Sequence, residues 1–407
     1  MRSSQRDHLW SFKNYSSGHS CFYLNLAYGG YLTYLKYINF DLIIFDWSFL
    51  GTRVERKFFS RNIERISRLK ESKAIKVCLP QDEFTSMDIL CDFINDFNIR
   101  YVFSVAPSSE WTKIYKTVDQ KRVRFKQILT GYLDESIVKK WSSLSNNDFE
   151  KRPLDIGYRT VSTAIWGRFN LLKATIADVF KKEAAARSLK TDIKVGAEHF
   201  KIGDEWLRFL VKCRYTLGIE GGSRLLDWDG SILAAVNEQL KKTPNATFED
   251  LAQTCVPAER EGEINVVAVS PRHLEACLTR TVQILVEGDY NGILIPNKHY
   301  IPLKADFSNI VDVFERMKDS SGRTLMAENA YRDIVDSGKY TYRSMVQTVL
   351  AETIGSNQTR TSDNIVKFVL IPLNNINVRI NIFFIYAYSR IRDLRSLLRK
   401  SLLPLRE

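Results

Sequence analysis

An α/β chain in two halves is the fold class that the sequence predicts, and three observations lead to it. Short apolar runs alternate with helical patterns from Asp41 to Tyr132, the spacing of βαβ units around a mostly parallel sheet. After a polar, turn-rich stretch the alternation starts again at Leu154. The chain has 407 residues, 44% hydrophobic and 26% charged, which suits a globular protein of two domains or one large α/β unit. The restart favours two.

Residues 1–30 are rich in Ser, Tyr and Gly without clean periodicity, and His8 and His19 lie among them. Asp41 to Trp47 reads as a buried strand from its aliphatic run, and Arg53 to Lys70 as an amphipathic helix. Ala74 to Leu79 is the next strand. It ends in Pro80-Gln81-Asp82-Glu83, where an α/β protein places functional groups and where acids also favour a first helical turn. A helix over 86–97, a strand over Arg100–Val105, a helix over Ser108–Tyr115 and a strand over Phe125–Leu129 complete this half.

The segment Ser143–Arg152, followed by Pro153, marks a boundary between domains 1–150 and 151–355. Leu154 to Tyr158 is a strand, and a loop with Arg159, Ser162, Thr163, Gly167 and Arg168 leads into a helix over Phe169–Ser188. Strand, polar loop, arginine and helix form an arrangement that can cradle phosphate through backbone N–H groups and the helix dipole. Neither GxxxxGK[ST] nor GxGxxG is present. A helix over Asp204–Cys213 and a strand over Arg214–Ile219 lead to Glu220-Gly221-Gly222-Ser223-Arg224 and then Asp227-Trp228-Asp229-Gly230. The glycines allow close approach of a ligand or positive φ. The Asp pair reads either as a cleft carboxylate or as a turn with an N-cap. Residues 241–265 form a polar excursion with a small helix at Phe248–Thr254. Phe307–Met317, Thr324–Val335 and Tyr340–Thr353 read as helices.

The densest chemistry lies between Ser270 and Leu303, with Arg272, His273, Glu275, Arg280, Glu287, Asn291, His299 and Tyr300. Its pattern predicts a helix opened by Pro271, a strand over Val282–Val286 and then a loop. Pro-x-x-x-Glu-Ala, a short apolar strand and a Gly-containing loop, in that order, resemble the donor half of GT-B sugar-nucleotide glycosyltransferases, and more narrowly the bacterial enzymes that build lipopolysaccharide or capsule glycans. The resemblance covers roughly residues 154–318 and extends to the first half by architecture. It implies two Rossmann-like domains facing a cleft. It implies that Glu275 binds the ribose of a nucleotide sugar and that Ser270 and Arg272 meet the diphosphate or sugar. Arg159 and Arg168 then resemble oxyanion clamps. Gly221, Gly222, Asn291, His299 and Tyr300 join the donor side, and His8, Gln81 and Glu83 the acceptor side. Where many retaining members carry a second acid, eight residues before Glu275, this chain has Val267.

For the chemistry, Glu220, Asp227 and His273 are the candidate catalytic groups. A carboxylate, Asp227 or Glu220, is the expected nucleophile of a retaining reaction, and Glu83 or His8 the base of an inverting one. No metal or other cofactor is expected. The donor that the resemblance implies is a UDP- or GDP-sugar, CMP-Kdo, or a CDP-alditol in a related phosphotransferase. The acceptor that it implies is lipid-linked or an oligosaccharide.

The formal net charge of +12 implies an anionic partner. No zinc, RRM or basic-helix motif in the body supports nucleic acid. Arg390, Arg392, Arg395, Arg399 and Lys400 flank Ile391, Leu394, Leu398 and Leu402 in a basic amphipathic tail over 365–407, which reads as an anionic-membrane contact or as a helix packed on the body. Six cysteines without CxxC spacing read as reduced thiols, and the N-terminus lacks a signal-peptide core, so a cytoplasmic protein peripheral to the membrane is expected. A non-catalytic glycan-binding module of the same fold is the competing expectation.

Overall fold

The computed structural model describes residues 3–26, 38–142, 151–161, 167–355 and Asn374. The tail apart from Asn374, Ser162, Thr163 and most of the expected 143–152 boundary lie outside them. The strands, in chain order, are β1 (Leu42–Asp46), β2 (Ile75–Leu79), β3 (Tyr101–Ser104), β4 (Arg124–Gln127), β5 (Leu154–Thr160), β6 (Thr191–Val195), β7 (Cys213–Gly218), β8 (Gly221–Leu225), β9 (Glu261–Ala268), β10 (Val282–Val286) and β11 (Tyr300–Leu303).

The first half is a parallel sheet in the simple order β1-β2-β3-β4. Its core is aromatic: Phe45, Phe93 and Phe97 pack ring on ring, with Phe93 and Phe97 stacked at 4.4 Å. The second half is a parallel sheet in the order β11-β10-β7-β5-β6. β10 is buried along its whole length, as expected of a continuous apolar run covered on both faces. Gly157 in β5 lets the following elements close on the sheet, since a Cβ there would lie 2.3 Å from the Cys213 sulfur. The chain leaves β5 for β6 on one side and reaches β7 on the other. That reversal makes a crevice beyond the strand ends, the usual ligand position in open α/β sheets.

Several segments differ from the sequence reading. Ser3–Tyr15 is a helix, although its apolar residues show no clean period, because Phe12 and Tyr15 pack against the Tyr342–Thr353 helix. The single helix expected over Arg53–Lys70 is three pieces, with the α-helix confined to Arg56–Arg65. The central stretch ends in strand β11 rather than in loop. The excursion over 241–265 belongs to a longer insertion: β8 and β9 pair antiparallel, with helices Ser231–Lys242 and Phe248–Cys255 between them.

That hairpin crosses to the other half. Leu226, Ile264 and Val266 are buried in the same cluster as Phe45 and Phe93. Backbone bonds run from Asp227 N–H to the Phe84 carbonyl (2.7 Å), from Ser86 N–H to the Asp227 carbonyl (2.9 Å) and from Asp88 N–H to the Trp228 carbonyl (3.2 Å). Lys116 lies 4.0 Å over the Trp228 ring. The Tyr342–Thr353 helix also returns to the first half, with Val349 buried beside Val77 and Phe103. Beyond β4, the Thr130 hydroxyl donates to the Val269 carbonyl (2.8 Å) and Gly131 abuts Pro271. The loops after β2 and β4 therefore meet segments that reach the end of β5, and the two parallel sheets turn their carboxyl edges toward one cleft. Among the described residues no helix is long and apolar enough to cross a membrane.

Candidate functional site

The crevice beyond β5 and β7 gathers charge. The helix Pro271–Leu278 starts there because Ser270 caps it and Pro271 occupies the first turn, where its missing N–H leaves nothing unsatisfied. Arg272 projects from that first turn. Its guanidinium lies 4.5 Å from the Phe200 ring and 4.8 Å from the Trp206 ring and donates to the Arg159 carbonyl at 2.5 Å. Lys173 comes from the facing helix Arg168–Ala185; its ammonium donates to Asn170 Oδ1 (2.5 Å), and Asn170 in turn donates to the Gly222 carbonyl (3.1 Å). Burial, then the charge of Arg272, pushes Lys173 down to about 8, against the pull of Asp82. Two cations held close enough to disfavour one another form a receptor for an anion.

Glu275 lies one turn along the same helix. Burial pushes its carboxyl up to about 7, opposed by Arg272 and by the Trp206 indole and assisted by Asp7. Near neutral pH it can donate a hydrogen bond as an acid or accept from hydroxyls as an anion.

The three predicted catalytic groups take structural places. His273 is buried; its Nδ1 accepts the Ser270 N–H (3.0 Å) in a capping box, and its other face makes a backbone bond to Ile219. Burial, followed by the charges of Arg272 and Lys173, pushes it down to about 3, so the ring is neutral and moves no proton at working pH. Glu220 is buried against Gly288 and accepts the Tyr290 N–H at 2.7 Å, and burial raises its pKa. Asp227 is buried and accepts from Ile232 N–H (2.9 Å), Leu233 N–H (3.1 Å) and the Thr85 hydroxyl (3.3 Å). It is a helix cap and a bolt between the halves. Asp229 closes a turn onto Ser231. The turn-and-cap reading of the Asp pair is the one the geometry supports.

On the donor side, Arg159 is buried rather than aimed at the cleft. It pairs with Asp192 at 2.5 Å, donates to the Tyr158 and Asp192 carbonyls and stacks on Phe209. Arg168 extends an exposed side chain, and its N–H is taken by the Glu261 carboxylate at 2.9 Å. Gly221 and Gly222 serve the β8–β9 ladder. Gly222 has φ +106°, and a Cβ there would stand 2.1 Å from the Val266 carbonyl oxygen. Asn291, at φ +55°, accepts the Val269 N–H (2.7 Å) and so sets the approach to the central helix. His299 is buried, accepting the Ile295 N–H at 3.1 Å and lying 3.1 Å from Asp333; burial lowers its pKa. Tyr300 is buried beside Tyr290, and burial pushes it up to about 12.

On the acceptor side, His8 is buried between Trp47 and Tyr342, 2.8 Å from Asp46. Gln81 donates to the Thr130 carbonyl (2.8 Å). Glu83 is fully buried and accepts from the Ser104 hydroxyl (2.6 Å), Val105 N–H (2.7 Å), Ala106 N–H (3.3 Å) and the Tyr115 hydroxyl. Burial raises its pKa against those donors. A carboxylate so enclosed cannot reach an acceptor, which corrects its expected role as a base.

Of the predicted residues, the crevice thus unites Arg272 and Glu275 directly, with Ser270 and His273 shaping their helix. Sequence reading missed Lys173 and Trp206. A signal for Lys173 existed: Asn170, Lys173, Ala177, Phe180 and Ala184 fall on one helical face, and polar residues interrupt that buried stripe at its amino end.

No family profile and no curated protein sequence matches the chain. Among solved structures, it is similar to HepE of Anabaena in complex with UDP and glucose, at TM-score 0.42 and 13% identity over 78% of each chain. It is similar to apo OtsA at TM-score 0.41 and 9% identity, covering 88% of this chain and 86% of that one. It is similar to TarM at TM-score 0.39 and 12% identity, covering 80% and 56%.

Proposed function

We propose that the chain is a glycosyltransferase that takes a sugar from a nucleotide donor and adds it to a growing bacterial surface glycan. The observation that carries this reading is the pairing of Lys173 and Arg272 at the carboxyl edge of the second sheet, with Glu275 one turn beyond Arg272. Glycosyl transfer releases a nucleotide phosphate, and two half-buried cations stabilise that developing charge most where water is excluded. They supply that charge without a metal ion. Glu275, balanced between acid and anion, suits the hydroxyls of a ribose. The opposing half supplies the acceptor wall of the cleft. An acidic donor such as CMP-Kdo fits the same cations as a neutral UDP- or GDP-sugar. The basic tail would bring the cleft to lipid-linked acceptor at an anionic membrane.

The test is a thermal-shift panel of CMP, CDP, UDP, GDP and CMP-Kdo on the wild-type chain and on Glu275→Ala. A ligand that binds only the folded state raises its apparent stability. The expected result is a shift with one nucleotide, reduced in the variant, which also names the donor class. No shift with any nucleotide, in a folded sample, sinks the transferase reading and leaves a glycan-binding module.

A further inference from the structure

The second sheet carries a cavity at the edge away from the crevice. Tyr215, Val282 and Ile301 lie near the amino ends of β7, β10 and β11, and Val282 pairs with Tyr215 across the sheet. With Met326 from the helix Ser320–Ala330 they make a buried apolar floor. Leu325 of the same helix, 63% exposed, stands at the rim. The cavity measures about 310 Å³, at the lower end of the roughly 300–1,000 Å³ of small-molecule sites. Such sites join an apolar lining to a few polar groups that fix orientation.

The polar side of this cavity is rich in donors. Arg316, from the helix Ile310–Lys318, donates to Asn297 Oδ1 (2.8 Å), and Arg332 donates to Asn329 Oδ1 (2.9 Å). Both asparagines line the cavity, and an amide whose oxygen faces an arginine turns its NH₂ group toward other partners. Arg316 and Arg323 add guanidinium N–H groups; Arg323 is buried in the wall and anchored on the Met317 carbonyl (3.2 Å). The two carboxylates of the lining are engaged locally. Both oxygens of Glu315 accept from Lys318 (2.7 and 2.8 Å), and Asp319 caps its helix through the Gly322 N–H (2.9 Å). A wall with its acceptors engaged and two guanidinium groups suits a ligand that brings acceptor oxygens and negative charge. The floor suits a hydrocarbon body.

We infer that this cavity binds a small carboxylic acid with an apolar body, its carboxylate beside Arg316 and Asn329 and its body on Val282, Ile301 and Met326. Arginine fits the carboxylate because its fork can bond both oxygens. The crevice lies at the opposite, carboxyl edge of the same sheet and is built on Lys173 and Arg272, so an acid bound here leaves the anion receptor clear. Occupancy needs neither donor nor acceptor sugar, and the assignment stands or falls apart from the transferase reading.

The probes are benzoate and hydrocinnamate, with benzamide as the uncharged isostere and inorganic phosphate as an anion without a body. Calorimetry in a buffer free of carboxylate and phosphate measures each on the wild-type chain, Leu325→Trp, Arg316→Gln and Lys173→Met, and melting curves establish that each variant is folded. One of the two acids should bind wild type with a Kd of about 1 mM or tighter. Benzamide and phosphate should bind at least about tenfold more weakly, and Arg316→Gln should weaken the acid by a similar factor. Leu325→Trp, which closes the mouth from an exposed position, should abolish binding, and Lys173→Met, in the distant crevice, should leave it within about threefold. No binding by either acid overturns the assignment, as does benzamide or phosphate binding as tightly as the acid. Acid binding that survives both Leu325→Trp and Arg316→Gln also overturns it, and its loss in Lys173→Met would put the acid in the crevice. Should Arg316→Gln unfold, Leu325→Trp decides alone.

Discussion

Replacing His273 with glutamine should make the protein more resistant to acid. The imidazole titrates near about 6.5 in an unfolded chain, whereas in the fold burial and the neighbouring Arg272 and Lys173 push it down to about 3. Between those values the unfolded state binds a proton that the folded state refuses, so folding stability falls as the pH drops from the upper value toward the lower. Integrating that difference gives a loss from this one group of about 2 kcal/mol at pH 5 and about 3 kcal/mol at pH 4. Glutamine at the third helical position still accepts the Ser270 N–H, so the cap survives while the titration disappears. The assay is urea unfolding of both proteins at pH 7 and pH 5 at constant ionic strength. Wild type should lose about 2 kcal/mol more than His273→Gln over that interval. Equal losses would show that the buried ring protonates freely and would refute the account of a neutral, structural His273.

Lys173→Met should weaken binding of a nucleoside diphosphate by roughly tenfold or more, the worth of one charge-assisted hydrogen bond, while leaving the thermal midpoint unchanged or higher, because it relieves the repulsion with Arg272; calorimetry and a melt read the two effects separately. Gly222→Ala should cost about 2 kcal/mol or more, since its φ of +106° and the Val266 oxygen 2.1 Å from a new Cβ both oppose it, and urea unfolding measures the loss. Asp227→Ala should remove about 1–2 kcal/mol with the helix cap and shift Trp228 emission to the red as the contact between the halves loosens.

The sequence carries the sheets more clearly than the site. β10 is legible because an unbroken apolar run between turn signals has few other uses, and the helix after Ser270 announces itself through its cap and proline. The β8–β9 hairpin is hidden because its strands pair across two intervening helices, and its Gly-Gly opening looks like a ligand loop until Val266 is seen packed against it. His8, His273, His299 and Asp227 have the right chemistry for catalysis, but burial and local bonds claim them. The Gln81-Asp82-Glu83 triplet shows the difficulty most plainly. Gln81 and Glu83 bond to the ends of β4 and β3, Arg53, distant in sequence, grips the Gln81 and Asp82 carbonyls, and of the three side chains Asp82 alone is exposed.

The hairpin that crosses the molecule constrains how this protein can change over evolution. Leu226, Ile264 and Val266 are encoded with the second half but complete the aromatic interior of the first. A recombination event that exchanged one half for a homologous one would leave a gap on one side and unmatched aliphatic side chains on the other. Change is therefore open to this lineage through substitutions along the cleft walls, or through insertions between β8 and β9, whereas the shuffling of whole halves is closed to it unless interior and hairpin move together.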